Sequence, residues 1–296
     1  MGARRYRVLH STIYGYSDAV TSSYGRAFLT PREFPGQRLL GHEVHIDPVP
    51  SDRSVGADVY GNTTLYFHVT AEHTRLEVTG ESTVEVEPPP ARTDSMPWEK
   101  ARPTDRNGPL AVEFALDLNP PEIIPEVAAY AAESFPPGRP LLAAVAELTT
   151  RIHADFTYES GSTTVSTRVA DVFRAREGVC QDFARLGLAC LRSQGLAARY
   201  VSGYLATNPP PGKPRLVGAD ATHAWAAVWL PGEFGGLSGD RWIGFDPTND
   251  KFADERYVTL AWGRDYADVP PLRGIIYTDA KKSTIRVSVD VAPIEV

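Results

Sequence analysis

Gly178-Val-Cys180-Gln-Asp-Phe-Ala-Arg-Leu-Gly-Leu-Ala-Cys190-Leu-Arg-Ser-Gln194-Gly195 is the stretch from which the rest of the chain can be read. Phe183, Leu186, Leu188, Cys190 and Leu191 surround most of a helical circumference and leave Asp182, Arg185 and Arg192 as a narrow polar stripe. That pattern predicts a mostly buried helix over 180–194, stopped by Gly195. Cys180 stands where a loop enters this helix, so its sulfur lies near backbone N–H groups without an intrahelical acceptor and near the positive end of the helix dipole. An ordinary thiol, with a pKa of about 8.5, is mostly protonated at neutral pH; a helix start beside an imidazolium is the usual device that activates it. Asp182 in the first turn opposes this unless it turns away or pairs with Arg185. Cys190, ten residues on, lies about 15 Å along the same helix. A disulfide tolerates a Cα separation of at most about 7 Å, so both cysteines are expected as free thiols, which fits a reducing compartment.

A second segment gives Cys180 its partners. Asp220-Ala-Thr-His223-Ala-Trp225-Ala-Ala-Val-Trp229 and, after a loop, Arg241-Trp-Ile-Gly-Phe-Asp246-Pro247 read as a hairpin. If Trp229 faces Asp240 near the turn, Trp225 opposes Gly244 and His223 opposes Asp246, with Cβ atoms about 4.5 to 5.5 Å apart. A carboxylate there accepts a hydrogen bond from one imidazole nitrogen and aims the other at a nucleophile. A slip of one residue would put the two side chains on opposite faces. Singly, each residue has an ordinary structural role: a buried cysteine, a hydrogen-bonded strand histidine, a turn-forming aspartate before proline. Together they answer one another's chemical needs. Asp220 is too close in sequence to face His223 across a sheet.

Gly178-Val-Cys-Gln-Asp-Phe-Ala184, Leu191-Arg-Ser-Gln-Gly-Leu-Ala-Ala-Arg-Tyr-Val-Ser-Gly-Tyr204, Asp220-Ala-Thr-His-Ala-Trp225 and Phe245-Asp-Pro-Thr-Asn249 resemble the transglutaminase-like superfamily, in its bacterial branch with a β-rich N-terminal region. The resemblance covers residues 155 to 250 strongly and the N-terminal part more weakly. It implies a papain-like α+β catalytic domain with Cys180 as nucleophile, His223 as base and later acid, and Asp246 as the orienting residue. An oxyanion hole is needed as well. The Cys180 N–H is one natural donor, and Gln181 or Tyr158 the second. Trp225 and Tyr204 are candidates for the cleft wall or, equally, core aromatics. The superfamily spans transglutaminases, peptidases and other amidases, so the chemistry is thioester formation from an amide and the acceptor stays open. Hydrolysis of peptides or isopeptides comes first, because water is always present and no acidic calcium loop appears. Amine transfer comes second. An interaction protein with a silent triad is the rival of another class.

The remainder of the chain sets the frame. Short alternating segments at 6–12, 22–29, 42–46, 63–69, 76–78 and 83–87 predict an all-β domain over residues 1–90. Proline-rich residues 91–110 read as a linker, and 111–296 as the catalytic domain. Helices are expected from Pro125 to Ser134, over 141–154 and at 169–175; strands at 198–205, 223–230, 241–246 and 284–291. The 206–219 segment joins two core strands and is expected to rim the site. Asn62-Thr-Thr64 matches a glycosylation sequon that matters only on export. His42 and His45 in one strand point to opposite faces, against a metal site with Glu43, and no cofactor is expected. The net charge of −7 offers phosphate backbones no attraction. No apolar run reaches the roughly 18 residues that span a bilayer. The expected partner is therefore a peptide or protein substrate, not nucleic acid or membrane, in the cytoplasm.

Overall fold

The structure is a computed structural model that describes residues 2–90, 95–207, 222–232 and 241–294. Its first layer is a seven-stranded antiparallel sheet built around one long strand, β1 (Arg4–Ala27), with β2 (Gln37–Asp47), β3 (Asp52–Ala57), β4 (Thr63–Val69) and β5 (His73–Val86). Segments 6–12 and 22–29 are the two halves of β1 and not separate strands. Register shifts between Gly15 and Val20 and between Val20 and Ser22 carry the ladder through the turn-like residues between them. Likewise 76–78 and 83–87 lie in the single strand β5, where Gly80 pairs with His10.

The second layer contains α1 (Pro125–Ser134), α2 (Leu141–Asp155), the two-residue strand β6 (Thr157–Tyr158), α3 (Val169–Ala175), its parallel partner β7 (Glu177–Gly178) and α4 (Cys180–Ser193). There follow β8 (Ala198–Leu205), β9 (Thr222–Leu230), β10 (Arg241–Asp246), β11 (Lys251–Phe252) and β12 (Tyr257–Gly263), in the antiparallel order β11-β10-β9-β8-β12. α4 packs on β9 through one core that contains Ala224, Ala226, Val228 and Leu230, alternate residues whose small members let the helix approach. The polar stripe of α4 is buried too, because its charges find partners. Arg192 donates to the carbonyls of Phe114, Ala198 and Arg264, and Arg185 pairs with Asp265 at 2.8 Å and Glu122 at 3.3 Å.

The chain then leaves the second layer. β13 (Leu272–Thr278) and β14 (Ser283–Ile294) both pair with β1 and complete the first sheet. This corrects the expected 111–296 domain: alternation marks 284–291 as a strand but does not name its partner. The boundary at 90 does not separate two cores either. Tyr6, Val8 and Val84 from the first sheet share one cluster with Val289, Val291 and the α4 residues. Within the expected linker, Trp98 and Ala101 are buried in that same cluster, and the Trp98 indole donates to the Pro136 carbonyl. Asn62 is fully buried, its amide donating to Asp58 and the Trp262 carbonyl, so it is a structural turn residue and no glycan acceptor. His42 points inward to Ser82 and Thr30, whereas His45 is exposed on the other face.

Candidate active site

Cys180 is the first residue of α4 and is partly exposed, while Cys190 on the same helix is fully buried; both are free thiols. Burial pushes the Cys190 thiol up to about 12. The turn before Cys180 is fixed by Asp182. Its carboxylate folds back to accept the Val179 N–H at 2.9 Å and the Thr163 hydroxyl at 2.6 Å. Gly178 makes this possible, because a Cβ there would meet the Asp182 Cβ at 2.9 Å. Asp182 is therefore turned away into the helix start, and Arg185 is engaged elsewhere. At this terminus the N–H groups of Cys180 and Gln181 have no carbonyl one turn back, so two donors are available side by side.

His223 near the start of β9 and Asp246 at the end of β10 meet at 2.7 Å, from Nε2 to Oδ2. The register differs from the expected one. Trp242 pairs with Trp229 and Gly244 with Ala227, so the pairing is shifted by two residues and Asp246, if the ladder is continued, stands opposite Trp225. A two-residue shift preserves the face, and the contact to His223 is diagonal. Asp246 is fully buried. Its Oδ2 also accepts the Tyr257 hydroxyl and the Asn249 amide, each at 2.7 Å, and its Oδ1 accepts the Thr248 N–H at 2.9 Å. Burial alone would raise this carboxyl, but the His223, Asn249 and Tyr257 bonds outweigh it and hold it below its ordinary value. For His223, burial works to lower the imidazolium. Hydrogen bonds to Asp246 and to the Cys180 side chain, with their charges, win and lift it to about 10.

The ring is held from the side by Trp225, stacked at 6.1 Å and itself packed edge-on against Tyr257 at 5.2 Å. The indole fits only because two glycines flank it. A Cβ on Gly203 would lie 2.6 Å from the Trp225 ring, and one on Gly244 would lie 3.2 Å from its nitrogen.

Cys180 and His223 open into a cavity of about 270 Å³ that Gln181, Tyr200, Ser202 and Tyr266 also line. Of the residues expected at the cleft, Gln181 is in its wall and Tyr158 lies close by, exposed, with its phenol raised first by burial and then by the Cys180 charge. Trp225 sits behind His223 with 3% of its surface exposed. Tyr204 is buried, its hydroxyl on His10 Nδ1 at 2.9 Å, so Tyr200 takes the cleft position two turns of the pleat earlier on the same face. Of the expected rim, residues 208–219 lie outside the described residues, as does Asp220. Sequence reasoning missed Tyr257 and Asn249. Asn249 stands three residues after Asp246, a spacing that signals a side chain folding back on its turn; for Tyr257 no local signal exists.

The model of the transglutaminase-like superfamily matches residues 129–247, a span that contains Cys180, His223 and Asp246. The chain belongs to this superfamily. The bacterial transglutaminase-like N-terminal region matches residues 6–85, the strands of the first sheet up to β5. Among similar chains, the Mycobacterium tuberculosis protein Rv2569c is 59% identical over 99% of this chain and 94% of its own. The Mycobacterium leprae protein ML0607 is 35% identical over 92% of each. A solved structure from Cytophaga hutchinsonii, described as a candidate cysteine protease, superposes with a TM-score of 0.75 at 20% identity, over 100% of this chain and 92% of that one. The fold is thus transglutaminase-like with a β-rich N-terminal region, in a family of cysteine-dependent enzymes. Among the described residues no helix is long and apolar enough to cross a membrane, which says nothing of strands.

Proposed function

We propose that the protein is a cysteine peptidase or amidase that cleaves peptide or isopeptide amides through a thioester on Cys180. The observation that carries this is the buried Asp246 at 2.7 Å from His223, with His223 and Cys180 lining one cavity. The Cys180 sulfur attacks the amide carbonyl carbon, and the oxyanion is met by the N–H groups of Cys180 and Gln181. As the C–N bond breaks, His223 gives its proton to the leaving amine. Water then attacks the thioester carbonyl, neutral His223 takes the water's proton, the C–S bond breaks, and the acid departs, leaving the Cys180 thiolate beside the His223 imidazolium as the cycle began. Asp246 holds the ring throughout. The substrate is a peptide or protein, and the two free thiols support a reducing, cytoplasmic setting.

The test is incubation of the protein and of Cys180→Ala with a peptide pool, with and without a labelled primary amine, read by mass spectrometry. Cleavage that depends on Cys180 supports the hydrolase. Cys180-dependent amine incorporation in its place would move the assignment to acyl transfer, and no Cys180-dependent product would favour a non-catalytic interaction protein.

A further inference from the structure

The wall of the cleft opposite Cys180 comes from the first sheet. Cross-strand pairs Tyr14–Ile285 and Thr12–Val287, between β1 and β14, present one face of that sheet to the cavity, with Leu272 beside them. Ile285 and Val287 are large apolar side chains left 61% and 48% exposed, on the only stretch of β14 that borders the cavity among the described residues. Deeper in, Val289 on the same face is fully buried and belongs to the core. The face therefore runs from packed core out to an uncovered apolar ledge at the cleft.

The polar group at the base of this wall is neutral. His10 has both nitrogens engaged by hydroxyls, Nδ1 with Tyr204 at 2.9 Å and Nε2 with Thr12 at 3.2 Å, and its neighbours offer no carboxylate to stabilise a charge. Among the described residues no Asp, Glu, Lys or Arg lines the cavity. Against the β1–β14 wall a charged side chain would lose water and meet no charged partner, His223 on the other wall being held by Asp246, whereas an apolar one would cover Ile285, Val287 and Leu272. The volume, about 270 Å³, is below the roughly 300 to 1,000 Å³ of pockets that engulf drug-sized ligands. It has room for a single large side chain with its backbone.

We propose that this β1–β14 wall is a specificity subsite, which selects an uncharged, apolar side chain next to the amide that Cys180 attacks. The inference rests on the reading of Cys180 as the nucleophile, and it gives the first sheet a direct part in substrate choice.

The experiment measures labelling of Cys180 by N-acetyl amino-acid chloromethyl ketones carrying Phe, Leu, Asp or Lys, each rate divided by that reagent's rate with a free small thiol. Labelling needs no turnover, so a failure to cleave peptides bears only on the hydrolase reading. The Phe and Leu reagents are expected to label at least about tenfold faster than Asp or Lys. In Val287→Glu and Ile285→Glu, changes at exposed positions, with every rate also divided by that variant's own iodoacetamide rate, that preference should shrink about tenfold and the Lys reagent should gain. Equal labelling by all four reagents, a preference for a charged one, exclusion of all four, or an unchanged profile in both variants would each overturn the proposal.

Discussion

His10 and His223 face the same cleft from opposite walls, and both are nearly inaccessible to water, yet their protons are held very differently. Burial among neutral hydroxyls lowers His10 to about 4, whereas Asp246 and Cys180 reverse the same burial penalty and raise His223 to about 10. Desolvation alone therefore makes a silent histidine, and a buried carboxylate in contact converts it into one that keeps its proton through neutral pH. The β9 wall differs from the β1 wall by that carboxylate and by what anchors it.

Removing the carboxylate should erase the difference. Asp246→Ala leaves His223 with burial and only Cys180 to oppose it, so its imidazolium should fall from about 10 toward the His10 case. Activity on any cleaved peptide should drop by about 10³- to 10⁴-fold, the scale seen when a triad loses its orienting group. NMR titration of the His223 ring reads the pKa directly; a ring that still titrates near 10 in the variant would mean that Asp246 is not the source of the shift.

The two histidines should also shape opposite ends of the stability curve. The folded His10 pKa is below the unfolded value of 6.5, so between these the unfolded chain binds the extra proton. Its contribution is present above about 6.5 and lost as pH falls through about 4, a loss of about 3 kcal/mol. His223 runs the other way: its contribution is complete below about 6.5 and is lost as pH rises through about 10. Denaturant midpoints measured from pH 4 to 10 should fall at both ends. His10→Gln, which keeps both hydrogen-bonding positions, should flatten the acid side only.

The niche behind His223 gives a smaller effect. A Cβ on Gly203 would come within 2.1 Å of the Val258 carbonyl as well as meeting Trp225, so Gly203→Ala should cost about 2 kcal/mol of stability. Gly41, in β2, has nothing within 4 Å of such a Cβ, and Gly41→Ala should be close to neutral. Equal thermal shifts in the two variants would show that the indole niche is not tight.

How much of this was legible in the sequence follows from which features are local. α4 declares itself because a buried helix repeats its pattern within fourteen residues, and the Cys180, His223 and Asp246 positions each sit at a readable element end. The hairpin's existence was readable and its register was not. Turn type and loop length set a hairpin's register in general, and only parity, which decides the shared face, follows from alternation. β8 illustrates a second limit: it is buried along most of its length on both faces, so its pattern cannot say which of Tyr200 and Tyr204 reaches the cleft. The largest omission, the closing of the first sheet by β13 and β14, is a contact across about 270 residues of chain. Alternation identifies a strand and is blind to its partner.

Tyr257 belongs to that invisible class, since it reaches Asp246 from β12, across β8 and β9, and its removal is the finest test of the contrast between the two histidines. Tyr257→Phe deletes one of the three donors on Asp246 Oδ2 and leaves the packing on Trp225 in place. Two effects of opposite kind should follow. With one donor fewer, the carboxylate is less firmly held, and kcat should fall by a few-fold, about 1 kcal/mol. The charge that Tyr257 drew toward itself is then free to act on His223, so the imidazolium should hold its proton more tightly and the alkaline limb of the pH profile should move upward. A residue that served packing alone would lower kcat without moving that limb. A rate loss with an unshifted limb would therefore assign Tyr257 to the core, and a shifted limb would assign it to the electrostatics that separate His223 from His10.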